Sequence, residues 1–179
     1  DVDGARRALD QLRKTFPDSN EAKNAIPMLA AALASSGRTK QAAETYAEMF
    51  ADAAKYAPSQ FMDAARTLNE AGQYDLAVQA CDIVLKGDSK GYTTTAMLLR
   101  TRVLNAAANK SSSGDAAKAA DYAAKAYLQL EAIMEQYGRT TIAIDAEKLL
   151  VTDVASTVIG LLPKSTALCE AVIFKGTPK

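Results

Sequence analysis

The 179-residue chain contains no histidine and no tryptophan, and only two cysteines. Without histidine it lacks the commonest general base near neutral pH and the commonest metal ligand, and no Ser–His or Cys–His pairing can be built. Cys81 and Cys169 stand far apart and match no metal-ligand spacing, so no metal and no cofactor is expected. Whether the two join in a disulfide is left open. Basic and acidic residues number 21 each, a balance without the positive footprint that nucleic-acid binding requires. No apolar run approaches the roughly 18 residues that cross a bilayer. No leader is visible, and the sequence opens on Asp1 as a processed or trimmed chain would. Carboxylates remain, among them Asp121, Glu131, Glu135, Asp145 and Glu147. Glu131 and Glu135 share a helix face, but such pairs ordinarily make a solvated surface. No catalytic residue is assigned, and an enzyme is not expected.

Hydrophobic residues make up 49% of the chain while aromatics are only 6%, because much of the apolar content is alanine. Alanine is the best helix former and lets neighbouring helices approach closely. Large apolar residues recur singly between alanines, which predicts thin helix–helix seams and an all-α fold. Glycine and proline are few and fall between the alanine-rich stretches, where they punctuate.

A repeat runs through the chain. Ala30-Ala31-Ala32-Leu33-Ala34, Ala65-Arg66-Thr67-Leu68-Asn69 and Thr101-Arg102-Val103-Leu104-Asn105 follow one another at intervals of about 35 residues. A fourth copy, Ala146-Glu147-Lys148-Leu149-Leu150, stands further off. In each a small residue precedes a leucine by three positions, placing both on one helix face. Gly37-Arg38-Thr39 then leads to Ala42 and Tyr46, and Gly72-Gln73-Tyr74 leads to Ala77 and Cys81. Glycine ends one helix in the left-handed conformation, and the small alanine lets the next pack back. Phe16-Pro17-Asp18-Ser19, Tyr56-Ala57-Pro58-Ser59, Lys86-Gly87-Asp88-Ser89 and Tyr137-Gly138-Arg139-Thr140 separate the units, with Asp, Ser or Thr available as caps.

This reading gives a helix at 3–16, the second half of a truncated hairpin, then hairpins at 24–56, 59–86, 92–137 and 141–174 in one domain over 1–179. The third hairpin has a lengthened turn at residues 109–114, with Asp115 as the cap of a long second helix. Pro27 is expected in a first turn behind an Asn24 cap, or else as a kink. Gly87-Asp88-Ser89-Lys90-Gly91-Tyr92-Thr93 has the look of a phosphate loop, but it lacks the Gly-Lys-Ser/Thr ending and follows a helix, so a plain turn is expected. Such hairpins bury their faces only by stacking.

Gly72-Gln73-Tyr74-Asp75-Leu76-Ala77, behind Ala65 and Leu68, resembles the tetratricopeptide repeat. Gly37-Arg38-Thr39-Lys40-Gln41-Ala42 is similar, with Thr39 in place of the tyrosine. The resemblance covers residues 16–88 and implies a right-handed α-solenoid of stacked antiparallel helix hairpins. Phe16-Pro17-Asp18-Ser19, together with Ala42-Ala43-Glu44-Thr45-Tyr46, is closest to repeats of bacterial envelope proteins, the outer-membrane assembly lipoproteins and Tol-Pal associated proteins. That implies the periplasm or cell envelope; the cytoplasm is the alternative.

The resemblance also implies a non-catalytic scaffold whose first helices line a groove for a protein partner, either a peptide or a helix. Equivalent groove positions are Ala31, Arg66 and Arg102, then Ala34, Asn69 and Asn105. Arg66, Asn69, Arg102 and Asn105 would offer donors to carbonyls or carboxylates, and Met62 an apolar contact, while Phe61 is expected to pack between hairpins. Pro27, Ala31 and Met62 stand where the family's clamp for a terminal carboxylate needs Lys and Asn, so that clamp is not expected. Two other functions remain. One is a structural subunit of a larger assembly, docking through its array ends, the apolar Ile159-Gly160-Leu161-Leu162 and Val172-Ile173-Phe174 among them. The other is an accessory domain of a longer enzyme.

Overall fold

Alanine-rich stretches punctuated by Gly, Pro, Ser and Asp fold as helices throughout the described part of the chain. The structure, a computed structural model, describes residues 1–17, 19–87 and 91–175, with the backbone alone at 167, 171 and 173–175. The proposed turn at Asp88-Ser89-Lys90 therefore lies outside the described residues, as do Asp18 and the side chains of Ile173 and Phe174. The helices gather into two compact units, residues 1–92 and 93–179. Among the described residues there is no strand, and no helix is long and apolar enough to cross a membrane.

The first unit holds α1 (Val2–Thr15), α2 (Asn20–Ser35), α3 (Thr39–Ala51), α4 (Pro58–Glu70) and α5 (Tyr74–Lys86), with a 3-10 turn at Ala53–Lys55. Two helix pairs, α2 with α3 and α4 with α5, form antiparallel hairpins closed in the same way. At Gly37, φ is 77°, and the amides of Arg38 and Gly37 donate to the carbonyls of Leu33 and Ala34 at 2.9 and 3.0 Å. At Gly72, φ is 72°, and the amides of Gln73 and Gly72 donate to Leu68 and Asn69 at 2.8 and 3.0 Å. This paired capping satisfies carbonyls that the helix end leaves orphaned, and only glycine takes the left-handed position without a Cβ penalty.

The start of α2 departs from the expected one. Its cap is Ser19, whose Oγ accepts from the Ala22 amide at 3.1 Å, and not Asn24. Pro27 consequently lies inside the helix and removes one amide from its ladder. Asp115, by contrast, caps α7 as its position suggests, accepting from the Lys118 amide at 2.9 Å.

In all four copies the small residue and the leucine are buried: Ala30 with Leu33, Ala65 with Leu68, Thr101 with Leu104, and Ala146 with Leu149. Ala42 and Ala77, after the glycines, are buried too. Phe61 packs between the hairpins, its ring centroid 6.0 Å from Phe50 and 6.3 Å from Tyr56. Such aromatic contacts add about 0.5–1.5 kcal/mol beyond the area they bury.

Helix α1 is held differently. Leu9 is its one buried residue, so packing secures it weakly. Exposed ion pairs tie it to the second hairpin helix and its cap: Arg38 grips both oxygens of Asp3, and Arg13 reaches Glu48 at 2.8 Å. The hydrogen bond from Arg38, and then its charge, hold the Asp3 carboxyl below its ordinary value of 3.8. A carboxylate depressed in the folded state stabilises above its unfolded pKa, and that contribution is lost as pH falls through the folded value. We expect α1 to loosen below about pH 4 before α2–α5 do. Hydrogen-exchange protection of α1 relative to α2–α5 checks this, and Asp3→Asn is expected to show the same loosening at neutral pH.

The second unit holds α6 (Thr93–Ser111), α7 (Ala116–Tyr137), α8 (Thr141–Leu149), α9 (Ala155–Leu161) and α10 (Thr166–Lys175). The single helix expected over 141–160 is interrupted by a π turn at Leu150–Val154. Polar side chains of α6 meet this turn and the α9 helix that follows it. Asn105 Nδ2 donates to the Asp153 carbonyl at 3.3 Å, and the Thr157 hydroxyl donates to Asn109 Oδ1 at 2.9 Å. The last pair, 141–160 with 164–174, does not form as a simple hairpin either. Helices α6, α8, α9 and α10 all pack on α7, and α10 makes its main contact there and not with the helix before it. The reason lies in α7, whose alanines 119, 120, 123 and 126 are all buried and allow neighbours close on several sides.

Candidate functional site

Within the first unit, α2 and α4 lie side by side and leave an open depression of about 350 Å3 between them. From α2, Asn24, Pro27, Met28 and Ala31 form one wall, successive turns of one face. From α4, Gln60, Asp63, Ala64 and Thr67 form the other, again spaced by three and four. Tyr46 of α3 closes the floor and is 2% exposed. Burial raises its phenol above the ordinary value, with the Thr67 hydrogen bond pulling the other way, so the hydroxyl stays neutral.

The polar groups are arranged around an apolar centre. Gln60 bridges the helices, its Nε2 donating to Asn24 Oδ1 at 3.2 Å while its Oε1 accepts from the Ala57 amide at 2.9 Å. Asp63 stands largely exposed at the rim and receives the Arg66 guanidinium at 2.8 Å. Pro27, Met28, Ala31 and Ala64 supply the apolar surface.

A second depression, about 420 Å3, lies between α1 and α2 and is lined by Ala5, Ala8, Leu12, Ala25 and Ala32 among others. Met28 borders both depressions and is 72% exposed, the most exposed large apolar side chain of the chain's described residues.

The expected groove residues divide between the units. Met62, Arg66 and Asn69 are on α4, whereas Arg102 and Asn105 are on α6. Arg66 and Arg102 are exposed. Met62 is buried at 2% and Asn105 at 8%, so neither side chain is presented to a partner in this conformation. Asn105 instead serves the π turn, and its Oδ1, like that of the half-buried Asn69, has no hydrogen-bond partner. The α4 residues that line the depression are 60, 63, 64 and 67, offset by about one residue from 62 and 66. One residue is about 100° of helix, enough to turn Met62 from the rim into the core.

The residues that sequence reasoning missed are Asn24, Met28, Gln60 and Asp63. Their signal was available as the polar and small stripe opposite the buried Ala–Leu pair. For α2 it was hidden by the misplaced cap, which made Asn24 a capping residue and not part of the helical face.

Elsewhere, Cys81 is buried in α5 and Cys169 donates its thiol hydrogen to the Leu162 carbonyl at 3.2 Å; neither forms a disulfide. No cluster of three or more potential metal ligands occurs among the described residues. On the second unit, Ile144, Val151 and Ile159 are exposed along α8, the π turn and α9, while Leu161 is buried. No protein-family model matches this chain, and no curated protein or solved structure shows significant similarity to it.

Proposed function

We propose that this chain is a non-catalytic tetratricopeptide-like scaffold that holds a peptide segment of a protein partner between the first helices of its hairpins. The observation that carries the reading is the α2–α4 depression, an apolar centre rimmed by Asn24, Gln60, Asp63 and Thr67. Its size is at the low end of ligand sites, suited to one or two side chains of a peptide and not to a large cofactor. The two identically capped hairpins support a solenoid-type repeat, and the total absence of histidine argues against acid–base chemistry. The Phe16-Pro17 phrase and the Ala42–Tyr46 segment support a bacterial envelope setting.

Site-specific photo-crosslinking tests this. A benzophenone side chain in place of Met28 is expected to give a discrete adduct in native extracts, and Ala31→Met, which fills the depression, is expected to lower its yield several-fold. The exposed row Ile144, Val151 and Ile159 favours a second reading, assembly through the second unit. Adducts at Ile159 with none at Met28 would replace the first reading by the second.

A further inference from the structure

The α2–α4 depression carries an electrostatic preference. Asp63 is the one charged side chain among its lining residues. Pro27 has no amide hydrogen, so the Lys23 carbonyl, one turn back, has lost its helical donor beside the same wall. Asn24 Oδ1 and Gln60 Oε1 already accept hydrogen bonds, so the acceptors the rim keeps for a ligand are the Asp63 carboxylate and the Lys23 carbonyl.

We propose that this depression reads a lysine or arginine side chain of the partner peptide, an inference that rests on the peptide-groove reading above. The aliphatic stem lies over Pro27, Met28, Ala31 and Ala64, and the cationic head sits on the Asp63 carboxylate. Long basic side chains suit such a site because they bury their methylenes along apolar surface while keeping the charge near water. An acidic side chain would meet Asp63 as a like charge. A purely apolar one would fill the centre and make no use of the Asp63 carboxylate. Arg66 acts in this scheme as an internal stand-in. It binds Asp63 through Oδ1 from one turn along α4, and both side chains are at least half exposed. Exposed pairs of that kind are weak, so an incoming cation displaces Arg66 readily.

Selection of phage-displayed random heptapeptides on the intact chain tests the proposal. Selected peptides are expected to carry a Lys or Arg beside small or aliphatic residues. Their affinity is expected to fall roughly fivefold with Asp63→Asn, to rise with Arg66→Gln, which removes the competitor, and to be lost with Ala31→Met. Both α4 variants change exposed side chains, and an unchanged helical spectrum confirms that folding is intact. Peptides that are lost with Ala31→Met but carry no basic residue and ignore Asp63→Asn would overturn the charge preference and leave the groove reading standing. Peptides indifferent to Ala31→Met, or no enrichment at all, would overturn both.

Discussion

Leu68→Ala is expected to destabilise the first unit by about 2–5 kcal/mol, the range for truncating a fully buried leucine. Leu68 is completely buried, and α4 and α5, which pack on each other, bury Ala64, Ala65, Ala77 and Ala80 as well. The hairpin turn fixes it further, since its carbonyl accepts the Gln73 amide at 2.8 Å beside the left-handed Gly72. Alanine side chains have no rotamers with which to fill a void, so the cavity can close only by moving a helix. This places the expected cost in the upper half of the range. Denaturant titration gives the loss of stability, and hydrogen exchange on α4 and α5 shows where it falls. A loss below about 1 kcal/mol, the ordinary centre of point mutations, would show that the seam relaxes and that leucine is not its main support. The same substitution at Leu9 makes a contrast: α1 has a single buried residue and outer ion pairs, so its loss releases one helix and leaves the hairpins standing.

Much of this architecture was legible because the signals are local. The Ala–Leu pairs three residues apart, the glycines at 37 and 72, and the alanines that follow them each act within one turn of helix. All came out as buried pairs, left-handed turns and close helix approaches. The failures are of two kinds. The α2 start was misread because two caps were available, and Ser19 prevailed over Asn24, as a Ser cap permits an extra turn of helix before Pro27. Proline inside a helix costs about 3 kcal/mol or more, which made the shorter helix the natural expectation. Burial of Ala22 and Ile26 against the rest of the unit offsets that cost. The end of the second unit was read less well because α9 and α10 return to α7, which is not their neighbour in the chain. The π turn at Leu150–Val154 and the return of α10 to α7 depend on Asn105, Asn109 and the alanines of α7, which are distant in the chain. The candidate site suffered from phase alone. Counting from the glycines leads to Arg66, which is exposed on α4, whereas Met62 of the same helix faces the core.

Enlarging an alanine in the seam is expected to be as informative as removing a leucine. Ala77→Leu adds three carbons at a position that is completely buried, on the face of α5 that packs back on α4. Overpacking of this sort costs typically about 1–3 kcal/mol. The partner helix α4 buries Ala65 and Leu68 and is held by the same tight turn, so the added volume must separate two backbones. The expected value is therefore at or above the top of that range, with opening of the α4–α5 hairpin seen as faster amide exchange in both helices. Ala47→Leu supplies the control. Ala47 is exposed on α3, leucine is nearly as good a helix former as alanine, and the change is expected to stay within about 0.5 kcal/mol. If the two substitutions cost the same, the alanines are present for helix propensity alone. If only Ala77→Leu is costly, alanine content sets how closely the two helices of a hairpin stack.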